Sequence, residues 1–189
     1  MSAGLQHART PNFPTEAKKV VCVSWVPELA ATRELLLRAA GYAVISVLGR
    51  RDFSKLESTS NADLLILSHS VPREEKLQAL IAFRRSCRAP VLSLLGHFQR
   101  PLPGVDYAVE AYNPGEFIDA VAAATSLSRV MCSVGCRKCD LILSVREDVI
   151  ASAAEGQETT TLKCPYCGAT CDYEPHEFLH DPDDSKKSD

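Results

Sequence analysis

This chain of 189 residues lacks several features, and each absence removes a class of function. No apolar run approaches the ~18 residues of a membrane span, so no transmembrane helix is expected. No apolar h-region follows the amino terminus, so residues 1–17 read as a polar, disordered leader rather than a targeting signal. Neither sign of charge dominates: 21 basic against 24 acidic residues leave a net −3, which by itself selects neither nucleic acid nor an anionic membrane. No glycine-rich loop follows the first apolar run, where a dinucleotide fold would place one; the turn there is Ser24-Trp25-Val26-Pro27-Glu28. Apolar residues make up 46% of the chain, enough to build a core for one medium domain with a small one beside it.

The chain is rich in cysteine toward its carboxyl end. Six of its eight cysteines fall in the last third, and four of those form two pairs, Cys136-Arg-Lys-Cys139 and Cys164-Pro-Tyr-Cys167-Gly. A Cys-x-x-Cys turn presents two thiolates to one ion, and a second such turn completes a tetrahedron. Pro165 presets φ, and Gly168 can take the positive φ needed just after the second ligand. The pairs stand twenty-four residues apart, slightly more than the roughly 15–20 of the common two-knuckle pattern, so an insert is expected between them. The spacing predicts a structural Zn2+ site with Cys136, Cys139, Cys164 and Cys167 as ligands. Cys132 and Cys171, four residues outside the pairs, are expected to be spare. A thioredoxin-like dithiol fits less well, because neither pair opens a strong amphipathic helix. A disulfide framework needs an oxidising compartment, whereas a reducing cytoplasm suits zinc and free thiols together.

Between Lys18 and Arg129 short apolar runs alternate with helical patterns. Strands are expected at Lys19–Trp25, Tyr42–Leu48, Asp63–Ser68, Pro90–Leu95 and Tyr107–Tyr112. Helices are expected at Pro27–Ala40, Asp52–Ser58, Arg73–Ser86 and Pro114–Leu127. The first has Leu29, Leu35, Leu36 and Ala39 on its apolar face, the third has Leu77, Leu80, Ile81 and Arg84, and the last has Phe117, Ile118, Val121 and Ala124. Alternation of this kind implies βαβ units, a parallel sheet covered on both faces, and a flavodoxin-like strand order 2-1-3-4-5. A cobalamin reading of such a fold finds no Asp-x-His-x-x-Gly motif. Beyond it, Leu141–Val145, Thr159–Lys163 and Cys171–Tyr173 read as ribbon strands, and Arg146–Glu155 as the inserted helix.

Three phrases carry a family resemblance: "ADLLILSHSVP" at Ala62–Pro72, "APVLSLLG" at Ala89–Gly96 and "GVDYAVEAYNPGEF" at Gly104–Phe117. Through them Lys18–Ala124 resembles the receiver domain of bacterial response regulators, the CheY-like superfamily. The resemblance implies an acidic, Mg2+-holding pocket at the carboxyl end of the sheet, a phospho-acceptor, a hydroxylic switch residue and a phosphate-contacting lysine. This chain departs at each position. The acidic pair falls near Ser24 and Trp25, the acceptor on Ser68, the switch on Leu95 and the lysine on Glu110, which reverses the charge. Without clustered carboxylates a hard cation has no oxygen cage, and without the lysine a transferred phosphoryl group has no electrostatic clamp. His97–Pro103, with two prolines, leaves no room for the fourth helix of a receiver.

The expected organisation is therefore a leader at 1–17, a phosphorylation-incompetent receiver-like domain at 18–128, a zinc-ribbon-like module at 132–173 and an acidic disordered tail at 174–189. A Ser-rich stretch, Thr125–Ser133, links the two modules. The expected role is a non-catalytic cytoplasmic signalling adaptor whose ribbon meets a protein partner, with no Mg2+-dependent phosphorylation. Between Cys132 and Tyr173 four basic residues (Arg137, Lys138, Arg146, Lys163) face six acids (Asp140, Glu147, Asp148, Glu155, Glu158, Asp172), a balance that argues against a nucleic-acid partner. The alternatives are a phosphorelay regulator using Ser68 or His69 as an atypical acceptor, and a nucleic-acid-binding zinc-ribbon regulator. Trp25 is expected to plug the vacated pocket. Cys22 reads as a buried hydrophobe, and Cys87 as an inert surface thiol or a partly buried residue.

Overall fold

The computed structural model describes residues 17–110, 113–127, 131–146, 150 and 159–179. Five parallel strands form the first sheet: β1 (Lys19–Ser24), β2 (Ala43–Leu48), β3 (Leu64–Leu67), β4 (Val91–Leu95) and β5 (Tyr107–Glu110). Their order is β2-β1-β3-β4-β5, the flavodoxin-like arrangement expected from the alternation. The helices are α1 (Pro27–Ala39), α2 (Ser54–Glu57), α3 (Arg73–Arg84) and α4 (Pro114–Leu127). No described helix is long and apolar enough to cross a membrane.

The two-residue period of the strands divides the core. Val21, Val23, Leu65 and Leu67 point to one face, where they meet Leu80 and Phe83 of α3. Val20, Cys22, Leu64 and Ile66 point to the other, against Leu37 of α1 and Phe117 and Val121 of α4. Each side chain so buried contributes roughly 1.5–3 kcal/mol. Cys22 is buried as expected, and burial pushes its thiol up to about 11.

Helical faces were the least legible part. In α1 the buried residues are Ala30, Arg33 and Leu37, and Leu35 is 70% exposed rather than on the core face. The true face runs i, i+3, i+7 through an arginine, whose polar head finds partners inside. In α3, Leu80 and Arg84 are buried as expected, Lys76 joins them as an unexpected buried cation, and Leu77 faces out. Cys87, expected at the surface or partly buried, is fully buried among the same core residues. Its Sγ contacts the Ala62 carbonyl oxygen, and burial raises its pKa despite the nearby Arg84.

Between Leu95 and Tyr107 there is no helix, in line with the prolines there. The loop is tied down instead by Gln99, which accepts from the Gly96 N–H and donates to the His69 carbonyl. Phe98 sits in it at φ 64°, 94% exposed.

The carboxyl-terminal module is built from two antiparallel hairpins. β6 (Met131–Gly135) pairs with β7 (Ile142–Arg146), and β8 (Thr160–Lys163) with β9 (Thr170–Tyr173). β6 is an addition to the sequence reading. Because α4 reaches Leu127 and β6 starts at Met131, the expected Ser-rich linker shrinks to a few residues. The inserted helix expected at Arg146–Glu155 lies mostly outside the described residues.

The expected tail also begins too early. Pro175–Glu177 forms a 3-10 turn with a reciprocal Glu174–Glu177 capping box, and Phe178 is buried against the ring of Tyr173. Leu179 exchanges both backbone hydrogen bonds with Ser133 at 2.8 and 3.0 Å. Phe178 supplies the apolar anchor that holds this segment on the module. Residues 1–16 and 180–189 of the expected leader and tail lie outside the described residues.

Candidate functional site

Each of the two Cys-x-x-Cys segments is the turn of a hairpin, and the two turns are built alike. In the first, the Asp140 N–H donates to the Cys136 carbonyl at 2.9 Å and the Cys136 N–H to the Leu141 carbonyl at 3.0 Å. In the second, the Gly168 N–H donates to the Cys164 carbonyl at 2.9 Å and the Cys164 N–H to the Ala169 carbonyl at 2.7 Å. Both need a left-handed residue just after the second cysteine, supplied by Asp140 at φ 56° and Gly168 at φ 74°. Glycine takes this conformation freely and aspartate is among the few others that tolerate it. Gly168 was legible in the sequence; Asp140 carried no comparable signal.

The turns bring four Sγ atoms within 4.8 Å of one another: Cys136, Cys139, Cys164 and Cys167. The contacts across the two knuckles are 3.7 Å for Cys136–Cys167 and 3.8 Å for Cys139–Cys164. A tetrahedron of sulfurs about 2.3 Å from a central ion has edges of about 3.8 Å, so the donor set fits a four-coordinate metal ion. All eight cysteines of the chain are thiols rather than disulfides. Burial opposes ionisation of Cys136, but the backbone N–H groups of Lys138 and Cys139, with the neighbouring thiols, outweigh it and bring it down to about 7. Burial, with the thiols of Cys136, Cys167 and Cys164, pushes Cys139 up to about 12 against the lowering effect of the Leu141 N–H. One thiolate forms readily and the next is resisted, as expected of clustered donors that need a cation to ionise together. Cys132 and Cys171 lie in β6 and β9, where they join the core of the module with Val134, Leu143 and Tyr173. Arg137 closes one flank. It stacks over the Tyr173 ring at 5.3 Å and pairs with both oxygens of Glu177 at 2.8 and 2.9 Å.

The second candidate site lies at the carboxyl ends of β1 and β3. Ser68 follows β3 and is fully buried. Arg33 of α1, 8% exposed, donates to Ser68 Oγ at 2.5 Å and to His69 Nδ1 at 3.1 Å. Ser70 Oγ stands 2.9 Å from Ser68 Oγ and 3.2 Å from Ser24 Oγ, and accepts from the Trp25 N–H at 3.3 Å. The guanidinium also lies 5.8 Å from the centre of the Phe117 ring. Burial, with Arg33 and Lys76 nearby, holds the His69 pKa below its ordinary value. The Trp25 ring packs against Phe53 at 5.8 Å, joining the α3-side core. Leu95 and Glu110 are register partners at the ends of β4 and β5, and Glu110 is exposed. Arg33 is the site residue that sequence reasoning missed. Its spacing from Ala30 and Leu37 is the signal that an apolar-only search discards.

No family model matches the chain, and neither does any curated relative. Solved structures do. A response regulator receiver domain protein from Clostridium thermocellum aligns at TM-score 0.51 and 13% identity over 58% of this chain and 94% of that one. A fusion carrying the trimeric coiled coil of yeast Spc42 aligns at TM-score 0.52 and 19% identity, over 61% and 83% of the two chains. The N-terminal domain of a response regulator/sensory box/GGDEF protein from Carboxydothermus hydrogenoformans aligns at 0.49 and 21%, over 58% and 95%. The amino-terminal module has the receiver fold. At these identities the likeness is one of fold. Within it, the end of β3, where a receiver keeps its acceptor, is held here by a buried arginine and three serine hydroxyls.

Proposed function

We propose that this protein is a signalling adaptor that works by binding and without phosphoryl transfer: a receiver-like module with a vacated acid pocket, joined to a ribbon held by structural Zn2+ that meets a protein partner. The observation that carries the reading is the Arg33 guanidinium seated on Ser68 and His69. A cation in that position repels Mg2+ and engages the hydroxyl that stands at the acceptor position, so phosphotransfer lacks both its metal and a free nucleophile. Four thiols at tetrahedral spacing favour zinc over harder cations, which prefer oxygen ligands. The free thiols and zinc both suit a reducing cytoplasm.

The test is incubation with acetyl phosphate and Mg2+, followed by intact-mass measurement and phosphate-affinity electrophoresis, beside elemental analysis of protein purified under reducing conditions. The expected result is an unchanged mass and one zinc per chain. A phosphoryl group on Ser68 or His69 would overturn the adaptor reading in favour of an atypical phosphorelay regulator. Zinc-free protein with reversible disulfides would replace the structural metal with thiol redox chemistry.

A further inference from the structure

A cavity of about 140 Å3 opens beside the first turns of α3, under the loop that stands where a receiver has its fourth helix. Its polar lining comes from Arg73 and Lys76 of α3, Ser93 of β4, and Gln99 and Arg100 of the loop; the remaining lining residues, Val71 and Leu102, are apolar. Among the described residues no acidic side chain lines it.

Two buried groups in this lining are incompletely satisfied. Lys76 is 5% exposed, and its ammonium donates to the Leu94 carbonyl at 2.9 Å and to Gln99 Oε1 at 3.5 Å. An ammonium has three protons to donate, so among the described residues these two bonds leave one over. Ser93 is fully buried, and its Oγ has no hydrogen-bond partner among the described residues. Buried polar atoms of this kind are normally satisfied, so an orphan hydroxyl next to a cation calls for a ligand. The charges add to the case. Burial, then Arg33 and Arg73, lower the Lys76 pKa to about 8. These neighbours are cations, and the cavity places Arg100 beside them. The amino-terminal end of α3 adds its own positive pole.

We propose that this cavity binds a small free oxyanion of phosphate size, held by Lys76 and Ser93 inside and by Arg73 and Arg100 at its mouth. Drug-sized and nucleotide ligands occupy roughly 300–1,000 Å3, so the volume restricts the ligand to one oxyanion group. The site is non-covalent and distinct from Ser68. Covalent labelling of Ser68 or His69 would count against the adaptor reading and leave this site untouched.

The test is titration of the full chain with inorganic phosphate and with sulfate, read by calorimetry and by amide chemical shifts. Saturable one-site binding is expected, with shifts centred on Lys76, Ser93 and Gln99. Lys76→Met should weaken it tenfold or more, and Arg100→Ala, a change at the exposed rim, threefold or more. Sulfate does not titrate in this range, so its affinity should fall severalfold between pH 7 and pH 9 as Lys76 loses its proton. The other charged or titratable groups bearing on Lys76 are the guanidinium groups of Arg33, Arg73 and Arg100 and the imidazole of His69, whose pKa is held below its ordinary value. Tighter binding of glycerol 3-phosphate than of phosphate would reassign the ligand from the free ion to a phosphomonoester and overturn that part of the proposal. If Lys76→Met fails to fold by circular dichroism, Arg100→Ala and Arg73→Gln decide. Absence of saturable binding at 10 mM, leaving a water-filled cavity, or variants that bind like the wild type, would overturn the site.

Discussion

Tyr166, in the middle of the second Cys-x-x-Cys turn, lies directly against Gly104 in the loop before β5. Its hydroxyl donates to the Gly104 carbonyl at 3.5 Å, and a Cβ added to Gly104 would stand 2.9 Å from the edge of its ring. Gly104 also sits at φ 82°, a conformation that other residues adopt only with strain. The second cysteine turn thus rests on the receiver-like module through a ring and a bare backbone. Gly104→Ala is expected to destabilise the protein by about 1–3 kcal/mol, from φ strain and the clash together. Combining it with Tyr166→Ala removes the clash and leaves the strain. Urea denaturation of the two single variants and the double variant should give a coupling of about 0.5–3 kcal/mol. Strict additivity would mean that the two residues do not meet in solution.

Metal removal should act unevenly. Structural zinc sites are worth on the order of 10 kcal/mol in apparent binding, and the ribbon's own core is small. Cys164→Ser or a chelator is therefore expected to erase amide protection across Met131–Arg146 and Thr160–Leu179. Protection in β1, β3 and β4 should persist, because every fully buried member of their two cores lies between Val20 and Ala124, and the ribbon adds only the partly buried Tyr166. The Gly104–Asp106 segment should lose protection with the ribbon, through Tyr166. Hydrogen exchange on the holo and chelated protein checks both parts. Uniform loss across both modules, or no loss in the ribbon, would refute this division.

The sheet, its order and the four-thiol set were legible because each rests on a short-range pattern. Near-continuous apolar runs such as Leu64–Leu67 have no other use in a chain of this kind, and the paired Cys-x-x-Cys turns encode their own geometry. Arg33 and Lys76 were not legible, because a hydropathy pattern assigns a cation to solvent; helical spacing placed Arg84 on the apolar face, but nothing near it in sequence named the partner that keeps it there. What buries them is a partner far along the chain: Ser68 for Arg33, Leu94 for Lys76, Asp106 for Arg84. Phe178 escaped for a similar reason. Its neighbours are acidic and prolyl, and only the distant Tyr173 ring gives it a place to pack.

Arg84 and Asp106 form such a long-range pair, 1% and 7% exposed, at 2.5 Å. Asp106 also accepts from the Val91 N–H at 2.7 Å, and Arg84 donates to the Arg88 and Ala89 carbonyls. The pair therefore pins the end of α3 to the starts of β4 and β5. Asp106→Ala leaves a buried guanidinium without its counter-charge and is expected to cost about 3–5 kcal/mol. The double change Arg84→Met, Asp106→Leu removes both charges at once and should recover most of that loss. Thermal and urea unfolding of the three proteins checks the ranking; a double variant no more stable than Asp106→Ala would show that the hydrogen bonds to backbone, not the charge pairing, carry the energy.

His69 supplies a pH dependence whose sign follows from its contacts. A guanidinium can only donate, so the 3.1 Å contact from Arg33 requires Nδ1 to be an unprotonated acceptor. Burial, then the charges of Arg33 and Lys76, lower its folded pKa, whereas the unfolded chain titrates near 6.5. Between the folded pKa and about 6.5 the unfolded chain binds more protons, so the stabilisation present above 6.5 is lost as pH falls through that window. The urea midpoint should drop between pH 7.5 and pH 5.5, with a slope from this one proton of at most ~1.4 kcal/mol per pH unit. His69→Gln keeps a hydrogen-bonding group without a titrating proton and should flatten that part of the curve. An identical pH dependence in both proteins would remove His69 from the account and place the sensitivity on the carboxylates, which titrate lower.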